Sequence, residues 1–408
     1  MSSTQANKGT YRKIAFLSLA IFFADASHST VIPIFPGFAQ KIGASLSILG
    51  SYGSVAAIAM LLLSLPFGRL SDRLGRKRMM IPGLVIFIVV PLTYILVSSP
   101  LHIYPIRIML GLGMGLVFGN GFLLMTEVTE PGYRSTAQGM YMTSMGLGFT
   151  VGPLLWGFTT KLYGSNMSFL LSSGFAVLSI VMLQFVEEKG IRVVKQERVQ
   201  STNILSIIRD PQVLAAGFSN FLNSLLFNAL TIFFPVYGAS IGLDEAEMGI
   251  GFTTRGLAST VVRLPVGSLA KHVKVLYLMM FGLLLSALTI FSVSISTGLI
   301  MLSVLLGIQG IAYGIYLTSG NVYVAMNSEE EYRGTTMAVY SMFRNVSGII
   351  NPVILGFIAE IHGPRVALQF STGMTLLGLI LVYYMARRGG DTRASIMFNP
   401  RDKRAITS

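Results

Sequence analysis

Twelve apolar runs constrain this chain more than any other feature, each matching the ~20 residues a helix needs to cross ~30 Å of hydrocarbon. They lie near residues 14–38, 47–70, 79–98, 102–126, 135–160, 167–186, 212–240, 246–270, 275–295, 298–325, 334–359 and 365–386. Only 12% of the 408 residues are charged and 52% are hydrophobic, whereas an ordinary soluble domain carries about 25% charged residues. A chain with so few charges cannot cover a water-facing surface. The runs predict an all-α integral membrane protein of twelve transmembrane helices. The first run carries Asp25 and His28 and lacks a small-residue cleavage site, so it reads as a retained helix and not as a signal peptide.

Basic residues resist translocation, and their placement orients the chain. Of the 30 Lys and Arg, only Lys41, Lys161 and Arg365 fall in loops on one side, and Arg107, Arg255, Arg263 and Arg344 fall within runs. The rest lie on the opposite side, which predicts a cell-membrane protein with both termini cytoplasmic. The net charge of +13 sits in short clusters between apolar runs with no aromatic-interleaved basic face. Lipid headgroups are therefore the expected anionic partner, and nucleic acid is not. The absence of cysteine excludes disulfides, thiolate metal sites and a cysteine nucleophile.

The one long polar stretch inside the chain runs from Glu187 to Asp210 and divides the runs six and six. A constant shift of 199 residues superposes the halves without gaps. Leu65-Pro66-Phe67-Gly68 falls on Leu264-Pro265-Val266-Gly267, Tyr133-Arg134 on Tyr332-Arg333, and Pro153, Gly157 and Gly164 on Pro352, Gly356 and Gly363. The expected organisation is a six-helix bundle over 12–186, a cytoplasmic linker over 187–211, a second six-helix bundle over 212–386 and a mobile cytoplasmic tail over 387–408. Parallel repeats related by an axis along the membrane normal place a site at the bilayer midplane between the halves.

Four segments carry candidate function. The loop after the second run reads Gly68-Arg69-Leu70-Ser71-Asp72-Arg73-Leu74-Gly75-Arg76-Lys77-Arg78. Its glycines permit a tight turn and close helix approach, and a topology anchor alone would need only its basic residues. The fourth run holds Arg107 followed by Gly111, Gly113, Gly115, Gly119 and Gly121, an expensive buried charge beside a packing groove. The fifth run holds Gly139, Gly148, Gly152, Pro153 and Gly157, which make a closely packed, bendable helix. In the first run Asp25 and His28 stand three residues apart, hence on one helical face, with Pro33 and Pro36 beyond them. A carboxyl group at this depth is costly when ionised, which makes Asp25 the leading proton carrier.

These motifs resemble those of the major facilitator superfamily, at their expected helices and across nearly the whole chain. The Gly68–Arg78 loop is similar to that family's signature between the second and third helices. The resemblance implies a conformational latch of Gly68, Asp72, Arg73, Gly75 and Arg76, with Glu127 as partner of Arg76 and Asp72 facing the start of the eleventh helix near Gly334. It implies a part in proton movement for Arg107, alongside Asp25 and His28. The fifth-run spacing resembles the motif of the family's proton antiporters, mostly drug exporters, with Trp156 standing in place of one usual glycine.

Asn120, Asn223, Asn228, Arg255 and Arg344 are the expected polar lining of a substrate cavity. No enzymatic constellation, cofactor motif or metal-ligand cluster is visible. The expected function is proton-coupled efflux of a small amphiphilic compound by a monomer working through alternating access. A proton-coupled importer of a small solute and a non-transporting membrane sensor are the competing readings.

Overall fold

The computed structural model of the protein describes residues 3–188, 204–269, 272–329 and 332–388. Twelve long helices succeed one another across it: α1 (Ser3–Lys41), α2 (Leu46–Leu74), α3 (Arg76–Tyr94), α4 (Pro100–Val128), α5 (Arg134–Tyr163), α6 (Ser165–Gln184), α7 (Pro211–Ser240), α8 (Glu245–Leu269), α9 (Val275–Ile295), α10 (Leu299–Met326), α11 (Arg333–His362) and α12 (Pro364–Arg388). Residues 189–203 of the expected linker and 389–408 of the expected tail lie outside the described residues.

Ten of the helices are long and apolar enough to cross a membrane by composition alone; α5 and α8 are not among them. These two helices pack against each other. A side chain at Gly249 of α8 would meet the Pro153 carbonyl at 2.6 Å, and one at Gly157 of α5 would meet the Glu245 carbonyl at 2.7 Å. Small residues let the backbones touch, at the cost of aliphatic character.

Two apolar cores result. One gathers α1 to α6 around Leu17, Phe87, Tyr141, Trp156 and Phe169; the other gathers α7 to α12 around Leu226, Phe233, Leu283, Leu306 and Val382. The repeat is written into the backbone of both six-helix bundles. Gly43 and Gly242 share positive φ (93° and 87°), as do Gly164 and Gly363 (81° and 86°), each pair 199 residues apart. A residue with a Cβ is strained in that region, so the glycines fix the same turns twice. Tyr133 and Tyr332 lead into α5 and α11 with the same dihedral angles within a few degrees. Two single π-turns, Gly115–Gly119 in α4 and Ala229–Phe233 in α7, interrupt otherwise regular helices.

The face at which α1 begins and α12 ends is here the terminal face, and its opposite the far face. Between the bundles, α2 meets α11 and α5 meets α8, closely toward the far face: Gly50 lies against Pro352 and Gly356 against Leu46 and Gly50. Across the same seams Ser54 Oγ donates to the Ile349 carbonyl at 2.5 Å, Thr253 Oγ1 to the Thr150 carbonyl at 3.2 Å and Arg263 Nη1 to the Met142 carbonyl at 3.3 Å. Toward the terminal face the same four helices stand in open space at Gly68, Gly139, Gly267 and Gly334, where an added Cβ would meet nothing within 4 Å.

Candidate functional site

Asp25 lies near the middle of the membrane-crossing part of α1 and is 5% exposed. The absence of a side chain at Gly148 is what lets α5 close over it, since a Cβ there would sit 2.8 Å from Asp25 Cβ and 2.7 Å from the Phe22 carbonyl. Gly152 continues the contact against Ala26 and Thr30, and Ser29 Oγ donates to the Gly148 carbonyl at 2.9 Å. The backbone of Phe149 approaches one side of the carboxyl group, and Oδ2 is buried without a partner. Arg263, from α8 of the other bundle, is the cation that acts on it electrostatically.

Asp25 and His28 do not form the joint face expected from their spacing. Three residues of helix leave them about 60° apart around the axis, enough to send each to different neighbours. The His28 ring stacks on Phe87 at 5.8 Å and meets Phe118 edge-on at 6.2 Å, between α3 and α4. Arg107 is the charge that His28 feels. Its guanidinium lies 3.2 Å from the Phe35 ring centroid, and its Nε is buried without a partner. The three expected proton-handling residues therefore fall into two groups, Asp25 with Arg263 and His28 with Arg107.

The fifth-run motif divides in the same way. Gly148 and Gly152 pack on α1 of their own bundle, whereas Pro153 and Gly157 pack on α8 of the other. Gly139 faces open space, so it is no part of either contact.

A second group surrounds Arg255, in the middle of α8 and 1% exposed. Its Nε donates to Gln309 Oε1 at 2.5 Å, and Gln309 in turn donates to Ser286 Oγ at 3.0 Å. Three rings surround the guanidinium: Tyr313 at 4.9 Å, Phe227 at 5.3 Å and Phe149, from the other bundle, at 5.6 Å. Its Nη2 is buried without a partner. Arg344 differs, being exposed on the stripe of α11 that carries Tyr340, Ser347 and Asn351. Asn223 is buried with Oδ1 unpartnered, and half-buried Asn228 Nδ2 donates to Ser224 Oγ at 3.4 Å.

Asn120 belongs elsewhere. Its Nδ2 donates to the Leu116 carbonyl at 2.8 Å and its Oδ1 accepts from Ser71 Oγ, so it ties α4 to the last turn of α2, beside the α2–α3 turn, and lines no midplane cavity. Arg76 is the hub of that loop, bonding Glu127 at 3.1 Å, Ser71 Oγ at 2.9 Å and Asp72 at 2.5 Å. The Arg76–Glu127 pair is as expected; the contact of Asp72 with the start of α11 is not made, because Asp72 turns to Arg76 and Gly334 faces open space. Gly75 takes a positive φ of 99° between α2 and α3, while Arg73 is exposed and Gly68 faces open space. Sequence reasoning missed Glu188, whose carboxylate accepts from the Arg76 amide at 2.5 Å and caps α3, where a helix N-terminus favours negative charge. It also missed Lys77, whose Nζ reaches the Gln184 and Val186 carbonyls at 3.2 and 2.9 Å beyond the end of α6.

Comparison with known proteins places these features. The chain is 22% identical over 403 residues to the Multidrug resistance protein MdtG of Klebsiella pneumoniae (strain 342), covering 95% of this chain and 97% of that one. It is 22% identical over 385 residues to the Multidrug resistance protein 2 of Bacillus subtilis (strain 168), covering 92% and 95%. Its fold matches an inward-facing, occupied bacterial homologue of the human lysosomal transporter Spinster (TM-score 0.77, 13% identity, 95% of this chain and 98% of that one). It also matches the nucleoside transporter NupG (TM-score 0.76, 12% identity, 91% and 98%). The model of the Major Facilitator Superfamily matches residues 17–238 and 216–400, and with two repeated six-helix bundles meeting along one seam, the chain belongs to that superfamily of membrane transporters and is not an enzyme.

Proposed function

We propose that the protein exports small amphiphilic compounds across the cell membrane in exchange for protons, as a monomer with both termini cytoplasmic. Residues 12–186 and 212–386 are the two bodies that rock against each other, joined by the 187–211 linker. The observation that carries the reading is Asp25: among the described residues, the one carboxyl group buried at midplane, held in one bundle within electrostatic reach of Arg263 in the other. Ionised, it attracts the opposite bundle; protonated, it does not. A ligand or proton shifts a two-state equilibrium only by interacting differently with the two states, and a charge acting across the moving seam meets that condition.

In this reading the terminal face is cytoplasmic, the bundles are closed at the outer face, and the Asp72–Arg76–Glu127 latch awaits its contact with α11. Each elementary charge that crosses the field supplies about 2.3 kcal/mol per 100 mV. The naming of relatives as multidrug resistance proteins favours export over import. Proteoliposomes loaded with amphiphilic dyes of either charge test the proposal: an imposed proton gradient should drive dye against its own gradient. Dye movement that ignores the proton gradient, or uptake in the direction of proton flow, overturns it.

A further inference from the structure

The Arg255 group is built like a receptor for an anion. A buried guanidinium without a carboxylate is costly to desolvate, and none of the four ion pairs among the described residues involves it. Gln309 satisfies Nε alone, while Nη2 stays unpartnered. A residue needed only to join α8 to α10 would do so with a neutral amide or hydroxyl. The charge therefore asks for another role.

The surroundings specify the ligand. Phe149, Phe227 and Tyr313 are half-buried; Phe227 stacks on Tyr313 at 5.8 Å and faces Phe149 at 6.3 Å. Together they form an apolar wall beside the cation, about 15 Å along α8 from its far end. Because Phe149 comes from the first bundle, any rocking of the bundles shifts this ring relative to Arg255. It is thus a cover that conformational change can lift. Hydrogen bonds in which one partner is charged are stronger than neutral ones, and a ring in apolar contact adds to them.

We infer that Arg255 is the head-group site for an organic anion, an aromatic or other flat apolar body bearing one carboxylate or similar oxyanion, which displaces Phe149 and bonds Nη2. This rests on the transport reading for its physiological meaning but not for its test. Two probes share a ring system and differ in charge: 2-naphthoate and 2-naphthylmethylammonium. Their binding to the full-length protein in detergent is measured by equilibrium dialysis at neutral pH.

Naphthoate should bind at least about tenfold more tightly than the amine. Arg255→Gln should erase that preference and leave the weaker amine binding unchanged, Arg255→Lys should keep part of it, and Arg365→Gln, at an exposed arginine outside the bundles' interior, should leave it intact. Equal binding of the two probes by the unaltered protein overturns the inference without any variant. So does a preference that survives Arg255→Gln or vanishes with Arg365→Gln. Naphthoate bound through Arg255 yet never moved in proteoliposomes under any gradient would sink the transport reading and leave the site standing; dye export without naphthoate binding would do the reverse.

Discussion

Lys161 and Glu360 stand 199 residues apart, at equivalent places near the far ends of α5 and α11, and each bonds across the seam to the start of a helix in the other bundle. Lys161 Nζ meets Asp244 at 2.7 Å beside the start of α8. Glu360 Oε2 accepts from the Leu46 and Ser47 amides at 2.6 and 3.2 Å at the start of α2. The repeat has thus kept the position of a far-face contact and inverted its charge. A lysine needs an acidic capping residue opposite, here Asp244, whose Oδ1 also accepts from the Glu247 amide at 2.9 Å; a glutamate needs only the bare amides of a helix N-terminus.

The two contacts are expected to differ in weight. Lys161 and Asp244 are half-exposed and joined by a single bond, and exposed ion pairs contribute little, whereas the Glu360 carboxylate accepts two charge-assisted bonds from amides at a helix start that have no partner within the helix. Glu360→Gln should therefore open the far face more often than Lys161→Ala does. A chain without cysteine is convenient for spin labels on Leu162→Cys and Ala239→Cys, whose distance distribution reads the opening. A larger shift for Lys161→Ala refutes the ordering.

The same contact sets a pH expectation. The bond from Lys161 holds the Asp244 carboxyl below its ordinary 3.8, and Asp244 in turn raises Lys161 above 10.5. The depressed acid keeps the contact intact above 3.8 and loses it only as pH falls through its lower value; the raised base loses it only as pH climbs past 10.5. Between about pH 5 and about pH 9 the spin-label distances should stay constant in the Asp25→Asn background. A transition in that window would mean that the far face itself senses protons.

Gly148 and Gly139 test which part of the fifth-run motif matters. Gly148→Ala forces a methyl group against the Phe22 carbonyl and Asp25, and overpacking of this kind costs about 1–3 kcal/mol. Gly139→Ala enters open space and should change stability by less than about 0.5 kcal/mol. Thermal unfolding of the two variants in one detergent checks the contrast; equal midpoints would remove Gly148 from the α1–α5 contact.

Much of the fold was legible because membrane spans announce themselves by length and apolarity, and the repeat by prolines and glycines in register. The charge-inverted pair Lys161 and Glu360 was not, since a search for identities passes over a lysine opposite a glutamate. Asp25 and Arg76 could be named from position and loop motif. The rings around Arg255 could not, because Phe149, Phe227 and Tyr313 come from three helices of two bundles and each alone reads as ordinary core. Asn120 misled for a related reason: a polar residue in an apolar run signals a partner, and only the packing of α4 beside the loop reveals that the partner is Ser71.

The last expectation concerns coupling itself. Among the described residues Asp25 is the one carboxyl group buried at midplane, for Glu127 and Glu360 sit near helix ends, and the arginines stay protonated. If exchange with protons drives transport, Asp25→Asn should abolish concentration of substrate under an imposed pH gradient, because asparagine is fixed in the neutral state and the attraction to Arg263 can no longer be switched. Binding and energy-independent exchange should survive, since the amide matches the protonated acid in shape and leaves the α1–α5 contact at Gly148 undisturbed. Arg263→Gln should also weaken coupling, through loss of the cation that reads the charge, while Arg107→Gln should not act through Asp25, being grouped with His28 instead. Flux in proteoliposomes with and without the gradient, run for the three variants, separates these outcomes. Should Asp25→Asn still accumulate substrate while an additional His28→Gln change stops it, the proton would travel by the α3–α4 side of the first bundle, and the α1–α8 switch would be wrong.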